Sequence, residues 1–169
     1  MSKPIPAAEH PYISGNDYIP ALMGQIYNRT TSGASQMYLD HFGIGINEFR
    51  ILSVLSNRPH SNATHICDTV NMHKAVASRS VRDMKAKGLL DINLVDGQRL
   101  MVLTPAGQAL HDDIALIAFQ REHLLVTGFT PQERATLLDY LRRMVANVPT
   151  VNAWDPFEGQ APAEGQPKP

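Results

Sequence analysis

Asp96-Gly97 stands between two short runs of alternating apolar residues, Leu89–Val95 and Gln98–Leu103. A two-residue hairpin loop needs positive φ at both central positions, which glycine accepts freely and aspartate tolerates. The pair therefore predicts a tight antiparallel hairpin. The sequence on both sides of it has helical spacing, so the fold class expected is mainly α with one small β-hairpin.

Helix signals are spread along the rest of the chain. Ile19, Leu22, Met23, Ile26 and Met37 recur at helical spacing from about Asp17 to Phe42, with a polar middle that includes Gly33. Asn47 is the expected cap of a second helix through Ser56, which carries Ile51, Leu52 and Leu55 inward. Asn62 caps a short helix, Ala63 to Thr69, with Ala63, Ile66 and Cys67 inward. A turn at Asn71-Met72 leads into a helix from His73 to Lys87. Its expected buried side is Val76, Ala77, Val81 and Met84, and it ends at Gly88. After the hairpin, Thr104-Pro105 starts a helix that reaches Val126. Thr130-Pro131-Gln132-Glu133 is a capping box opening a last helix. Leu137, Leu138, Leu141, Met144 and Val145 form its apolar side, and it is expected to stop before Pro149. Residues 1–16 read as an irregular arm and residues 149–169 as a Pro/Gly-rich tail, with Trp154 and Phe157 as candidate anchors.

Charge is distributed unevenly. The whole chain of 169 residues has a formal net charge of -1, which favours no partner. Residues 71–90, however, carry Lys74, Arg79, Arg82, Lys85 and Lys87 against the single acid Asp83. Such a stripe in an otherwise neutral chain is the footprint of a focused phosphate contact. The alternative is a solvated cationic helix face. The order of elements favours the first reading: a short helix, a turn and a longer basic helix make a helix-turn-helix, and the hairpin after it makes a wing. Lys74, Ser78 and Arg82 are spaced i, i+4, i+8 on one face, with Ala75 and Arg79 beside them. Arg79 and Arg82 can pair bidentately with guanine or clamp phosphates. Lys85 and Lys87 lie near the helix C-terminus, where cations favour the dipole. Gln98 and Arg99 on the hairpin complete the expected DNA-contacting set.

The stretch from Asn47 to Leu110 resembles the MarR family of bacterial transcriptional regulators. The resemblance rests on the helix-turn-helix ending in MKAKGLL and on the wing return LTPAG, which is similar to the family's L-T-x-x-G. Two features depart from the family pattern. The wing loop is tight, with Arg99 three residues after Asp96 rather than two, and Asp91 and Asn93 replace the usual basic residues after G-L-L. These departures imply a smaller wing contribution to DNA affinity. The resemblance implies a single domain over 17–148, with 17–46 and 105–148 as dimerisation helices and 47–104 as the winged helix-turn-helix. It also implies a homodimer on a pseudo-palindromic double-stranded operator, acting more often as a repressor than as an activator. Release by a small phenolic or aromatic acid is a further expectation. Arg29 is its candidate carboxylate partner, being the only basic residue between Lys3 and Arg50. Tyr38, His41 and Arg50 are candidates for added hydrogen bonds. The competing reading pairs Arg29 with an acid of its own or the partner chain.

Other chemistries find less support. Cys67, the one cysteine, excludes an internal disulfide. It has no basic residue within four positions except His65, so it reads as a small inward residue rather than a redox sensor. His41, His111 and His123 with Asp112 and Asp113 form no H-x-x-x-H pair, and neighbouring helix residues are expected to point apart, so neither metal nor other cofactor is expected. No nucleophile elbow, Walker loop, dinucleotide fingerprint or H-E-x-x-H is present, and an enzyme is not expected. No apolar run approaches the ~18 residues of a membrane span, and the N-terminus has no signal-peptide core, so a cytoplasmic location is expected. A winged protein-interaction module without DNA binding is the remaining rival.

Overall fold

The computed structural model describes residues 12–156. Within them run α1 (Ile19–Phe42), α2 (Ile46–Asn57), α3 (Ala63–Val70), α4 (Lys74–Ala86), β1 (Leu90–Val95), β2 (Gln98–Leu103), α5 (Pro105–Leu125) and α6 (Pro131–Ala153). The arm before residue 12 and the tail after residue 156, Phe157 included, lie outside the described residues. The chain divides into two compact units, one ending at Phe119 and one starting at Gln120.

The first unit is built around α2. Its Ile51, Leu52 and Leu55 are buried, as is Val54, in one cluster with Ile66 of α3, Ala77 and Met84 of α4, Leu90 and Met101 of the hairpin and Ile114 of α5. From α1 the cluster takes Ala34 and Tyr38. The polar middle of α1 does not break it. Thr30 and Thr31 turn their hydroxyls back and donate to the carbonyls of Ile26 and Tyr27, each at 2.6 Å. Asn62 caps α3 as expected, its side chain accepting from the His65 N–H at 2.8 Å.

Several local expectations need correction. Asn47 is not the cap of α2. Gly45 takes that position, and its N–H donates to the Glu48 carboxylate at 3.0 Å. On α4, Val76 is exposed and Ser80 is buried in its place. Ala63 is exposed rather than inward, although it lies on the same side of α3 as the buried Ile66.

The hairpin turns as the Asp-Gly pair requires. Asp96 has φ 49° and Gly97 φ 75°, and Val95 pairs directly with Gln98. The register sets Leu90 opposite Leu103, Ile92 opposite Met101 and Leu94 opposite Arg99. These three pairs share one face of the ribbon, since side chains alternate. Met101 also donates its N–H to the Ser61 carbonyl at 2.9 Å, so the α2–α3 loop pairs briefly with the wing.

The wing is fastened at its base. Thr104 donates its hydroxyl to the Gly88 carbonyl at 2.7 Å and accepts from the Gly107 N–H at 3.1 Å. Its own N–H donates to the Leu89 carbonyl at 3.2 Å. Gly107 is buried directly against Leu89. This junction explains the L-T-x-x-G pattern: the threonine ties the two strand roots and caps α5, and the glycine lets α5 approach the backbone of the other root.

In the second unit, Thr130 and Glu133 form the expected reciprocal cap of α6. Arg134 of α6 also pairs with Glu122, 2.5 Å away. Leu137, Leu138, Leu141 and Met144 are half-buried, while Val145 is exposed. The helix does not stop before Pro149 but continues through it to Ala153. Hydrogen bonds from the Thr130 N–H and hydroxyl hold the Glu133 carboxyl below its ordinary value of 4.5. Its contribution is therefore complete above about pH 4.5 and is lost as the pH falls through the lowered folded value. Thr130→Ala is expected to cost about 1 kcal/mol of stability. Thermal melts at pH 7 and pH 3.5 should show the variant's deficit shrinking at the lower pH. An equal deficit at both would disconnect the cap from Glu133.

Candidate nucleic-acid interface

All eight residues expected to meet DNA are exposed: Lys74, Ala75, Ser78, Arg79, Arg82 and Lys85 on α4, and Gln98 and Arg99 on β2. Helical spacing places Lys74, Ser78, Arg82 and Lys85 along one side of α4, with Ala75 and Arg79 further round. Ala77, Ser80 and Met84 face the core. The helix therefore presents a cationic side opposite its buried one, which is what a helix entering a major groove requires. Arg82 is partly engaged, its Nε lying 3.6 Å from Asp83 Oδ1, with both side chains more than half exposed. Such an exposed pair is weak and easily exchanged for phosphate.

Lys87 behaves differently from the rest of the stripe. Its Nζ donates to the Gly43 carbonyl just after α1, 2.5 Å away. It therefore joins the recognition helix to the α1–α2 corner. Glu48 makes a second link that the sequence did not reveal. One carboxylate oxygen accepts from the Ser80 hydroxyl at 2.5 Å, and the other accepts from the Gly45 N–H at 3.0 Å. In addition, the Ile46 N–H donates to Ser35 Oγ of α1 at 3.3 Å. The orientation of α4 is thus tied to α1 through polar contacts as well as through the core.

The wing contributes less basic character at its tip than its position allows. Asp96 and Gly97 occupy the turn, with Gln98 next to it. Arg99 lies on the ribbon face shared with Ile92 and Met101 and lines a cavity between the hairpin, α3 and α4. The cavity measures about 430 Å³. Lys74, Ser78, Arg82 and Lys85 also line it, and Cys67 forms part of its wall. Cys67 is thus half-buried and shares the wall of this cavity with cations distant from it in sequence.

The four residues expected to hold an effector are not gathered in this chain. Arg29 is exposed, and at ~100° per residue it lies about 180° round α1 from Tyr38. Tyr38 is a core residue, 2% exposed, with its ring edge-on to Phe49 at 5.3 Å. Arg50 stacks over the Tyr27 ring at 5.4 Å, and His41 is exposed. Helical spacing already sets Arg29 and Tyr38 on opposite faces of α1, and the structure shows that the Tyr38 face is the buried one.

His111 and Asp112 also depart from expectation. Neighbouring on α5, they meet at 2.8 Å, and Gln108 donates to the same carboxylate oxygen at 2.9 Å. These hydrogen bonds, that of His111 first, hold the Asp112 carboxyl below its ordinary value. The His111 ring stacks on Phe49 with centroids 6.0 Å apart, which gives it a packing role. Among the described residues no group of three His, Cys, Asp or Glu side chains could hold a metal ion. No helix among them is long and apolar enough to cross a membrane.

Comparison with known proteins agrees with this geometry. Residues 42–99 match the profile of the MarR family. The chain is similar to a MarR/EmrR family transcriptional regulator from Acinetobacter sp. ADP1, with 28% identity and a TM-score of 0.76 over 82% of this chain and 99% of that one. The Staphylococcus aureus MepR–DNA complex shares the fold at 19% identity and a TM-score of 0.69, over 80% and 99% of the two chains. Bordetella bronchiseptica BpsR, whose DNA binding is regulated by 6-hydroxynicotinic acid, shares it at 22% identity and a TM-score of 0.69, over 81% and 99%. No curated protein matches the sequence at a significant level.

Proposed function

We propose that this chain is a MarR-family winged-helix protein acting as a homodimeric repressor released from DNA by a small aromatic acid. The observation that carries the DNA-binding part is the row Lys74, Ser78 and Arg82 exposed along α4. That row lies opposite the buried Ala77, Ser80 and Met84, and the wing stands beside it. Major-groove entry by α4 uses Arg79 and Arg82 for guanines or phosphates and Lys74 and Lys85 for the backbone. The wing adds little charge at its tip, so most of the affinity rests on the helix and on having two copies of it.

Dimerisation is supported by apolar surface that one chain leaves uncovered. In the first unit α1 exposes Ile19, Leu22, Met23 and Ile26. In the second, α6 exposes Tyr140, Val145, Val148 and Val151. Contiguous apolar faces on soluble chains mark partner surfaces, and a second copy is the partner the family implies. A two-fold dimer calls for a pseudo-palindromic operator with half-sites about one helical turn apart. The response to an aromatic acid is supported by the shared fold with BpsR, which is regulated by a hydroxylated aromatic acid.

Fluorescence anisotropy tests the reading. The duplex upstream of the protein's own gene is compared with a scrambled duplex at 50 and 200 mM salt. Tight binding to the upstream duplex alone, weakening by at least tenfold between the two salts, is the expected result. Weak binding, equal for both duplexes and indifferent to salt, would favour the winged interaction module instead.

A further inference from the structure

We propose that Ser80, Glu48 and Lys87 are positioning residues for DNA recognition: they fix the rotation of α4 about its own axis without touching the duplex. The apolar contacts of α4 leave that rotation loosely defined. Its buried apolar side chains are Ala77 and Met84. Alanine offers a single methyl group, and methionine is unbranched and adapts to irregular gaps. Apolar burial is also non-directional, whereas a hydrogen bond has a preferred distance and angle. Ser80 is 4% exposed and lies between those two residues in sequence. It donates its hydroxyl to Glu48 Oε1 at 2.5 Å, in the range of a charge-assisted contact. The carboxylate is itself held, because its other oxygen accepts from the Gly45 N–H at the start of α2. Lys87, at the C-cap of α4, donates to the Gly43 carbonyl and supplies a second fixed point on the same corner.

The location of these contacts gives them their effect. Ser80 lies two residues from both Ser78 and Arg82, and at ~100° per residue it points to the opposite side of the helix from them. The hydroxyl is therefore anchored directly behind the face offered to DNA. With its side chains a helix has a radius of about 5–6 Å, so a rotation of about 10° moves a side-chain tip by about 1 Å. A bidentate contact from arginine to guanine is lost at that displacement, because both hydrogen bonds must keep their length and direction at once. A long lysine or arginine side chain reaching a phosphate absorbs the same displacement. Loss of the anchor therefore costs base reading more than backbone attraction. This role rests on the DNA-binding reading given above and names the residues that give it specificity.

Anisotropy titrations of the upstream and scrambled duplexes, repeated between 50 and 200 mM salt, test the role. For Ser80→Ala, affinity for the upstream duplex is expected to fall at least fivefold. Affinity for the scrambled duplex should stay within twofold, and the salt dependence should not change. A Ser80 that served stability alone would lower the folded fraction and weaken both duplexes by one factor. Glu48→Gln is the conservative variant, since its amide oxygen can accept from the Gly45 N–H while its amide nitrogen donates to the Ser80 hydroxyl. It is expected to keep the ratio of the two affinities within twofold of the unaltered chain. Lys87→Met is expected to lower that ratio at least twofold with the salt dependence unchanged. Lys85→Met, by contrast, should weaken both duplexes and make the salt dependence shallower by about one counterion. A shallower salt dependence for Lys87→Met would overturn the assignment of Lys87 and make it a DNA contact. An unaltered chain that does not distinguish the duplexes overturns the regulator reading and this role with it. An unaltered chain that does distinguish them, with the ratio unmoved by Ser80→Ala, overturns this role alone.

Discussion

Replacing Gly107 with alanine is expected to cost about 3 kcal/mol of stability, the upper end of what overpacking usually costs. A methyl group there would sit 1.9 Å from the Leu89 carbonyl oxygen and 2.9 Å from its carbon. Both are backbone atoms, and that oxygen already accepts from Thr104 N–H. Neither neighbour can rotate aside. Relief requires α5 to lift from the strand root, which opens the wing base and the packing around Ile114. For a domain of this size the melting temperature should fall by about 6–12 °C, measured by circular dichroism or calorimetry. Operator affinity should fall with it, since the hairpin buttresses α4. A drop below about 2 °C would show that the junction yields and that the close approach is not structural. Gly97 and Gly88 make an instructive contrast, because nothing lies within 4 Å of a Cβ there and only their positive φ favours glycine.

Arg82→Ala is expected to weaken operator binding at least tenfold without altering the melting temperature by more than about 2 °C. Its side chain is 75% exposed and makes only the loose pair with Asp83, so the fold loses little. The loss on DNA is larger, because a charge-assisted contact to phosphate or guanine is removed where water is excluded. The form of the loss identifies the contact. A phosphate partner predicts uniform weakening across sequences and a salt dependence shallower by about one counterion. A guanine partner predicts a loss of about 1–3 kcal/mol confined to one base pair of each half-site. Unchanged affinity in the anisotropy assay would remove Arg82 from the interface.

Signals carried within a few residues were legible in the sequence. Asp96-Gly97 set the hairpin turn, and the register followed from it. Asn62, Thr104-Pro105 and Thr130 to Glu133 placed three helix starts correctly. In each case a side chain meets the backbone two or three residues away, so local sequence contains both partners. Ile51, Leu52, Leu55 and Met84 were legible as core because a 3.6-residue period is a statement about one helix face. The same period misassigned Val76 and passed over Ser80. It marks the apolar stripe but does not know that Glu48 of α2 waits to receive a buried hydroxyl. Pro149 misled for a related reason: a mid-helix proline costs stability, but α6 carries it and runs on to Ala153.

The sequence by itself determined the order of elements, the basic face of α4 and the wing, because backbone preference, capping and periodicity act at short range. Only the tertiary structure decided which distant side chains share a space. It brought Cys67, Arg82 and Arg99 to one cavity from three elements, buried Tyr38 against Phe49, and joined Lys87 to the corner after α1. Those outcomes depend on how α3, α4 and the hairpin pack over α2. Packing is fixed by the sum of many nonlocal contacts, of which each stretch of sequence holds one side.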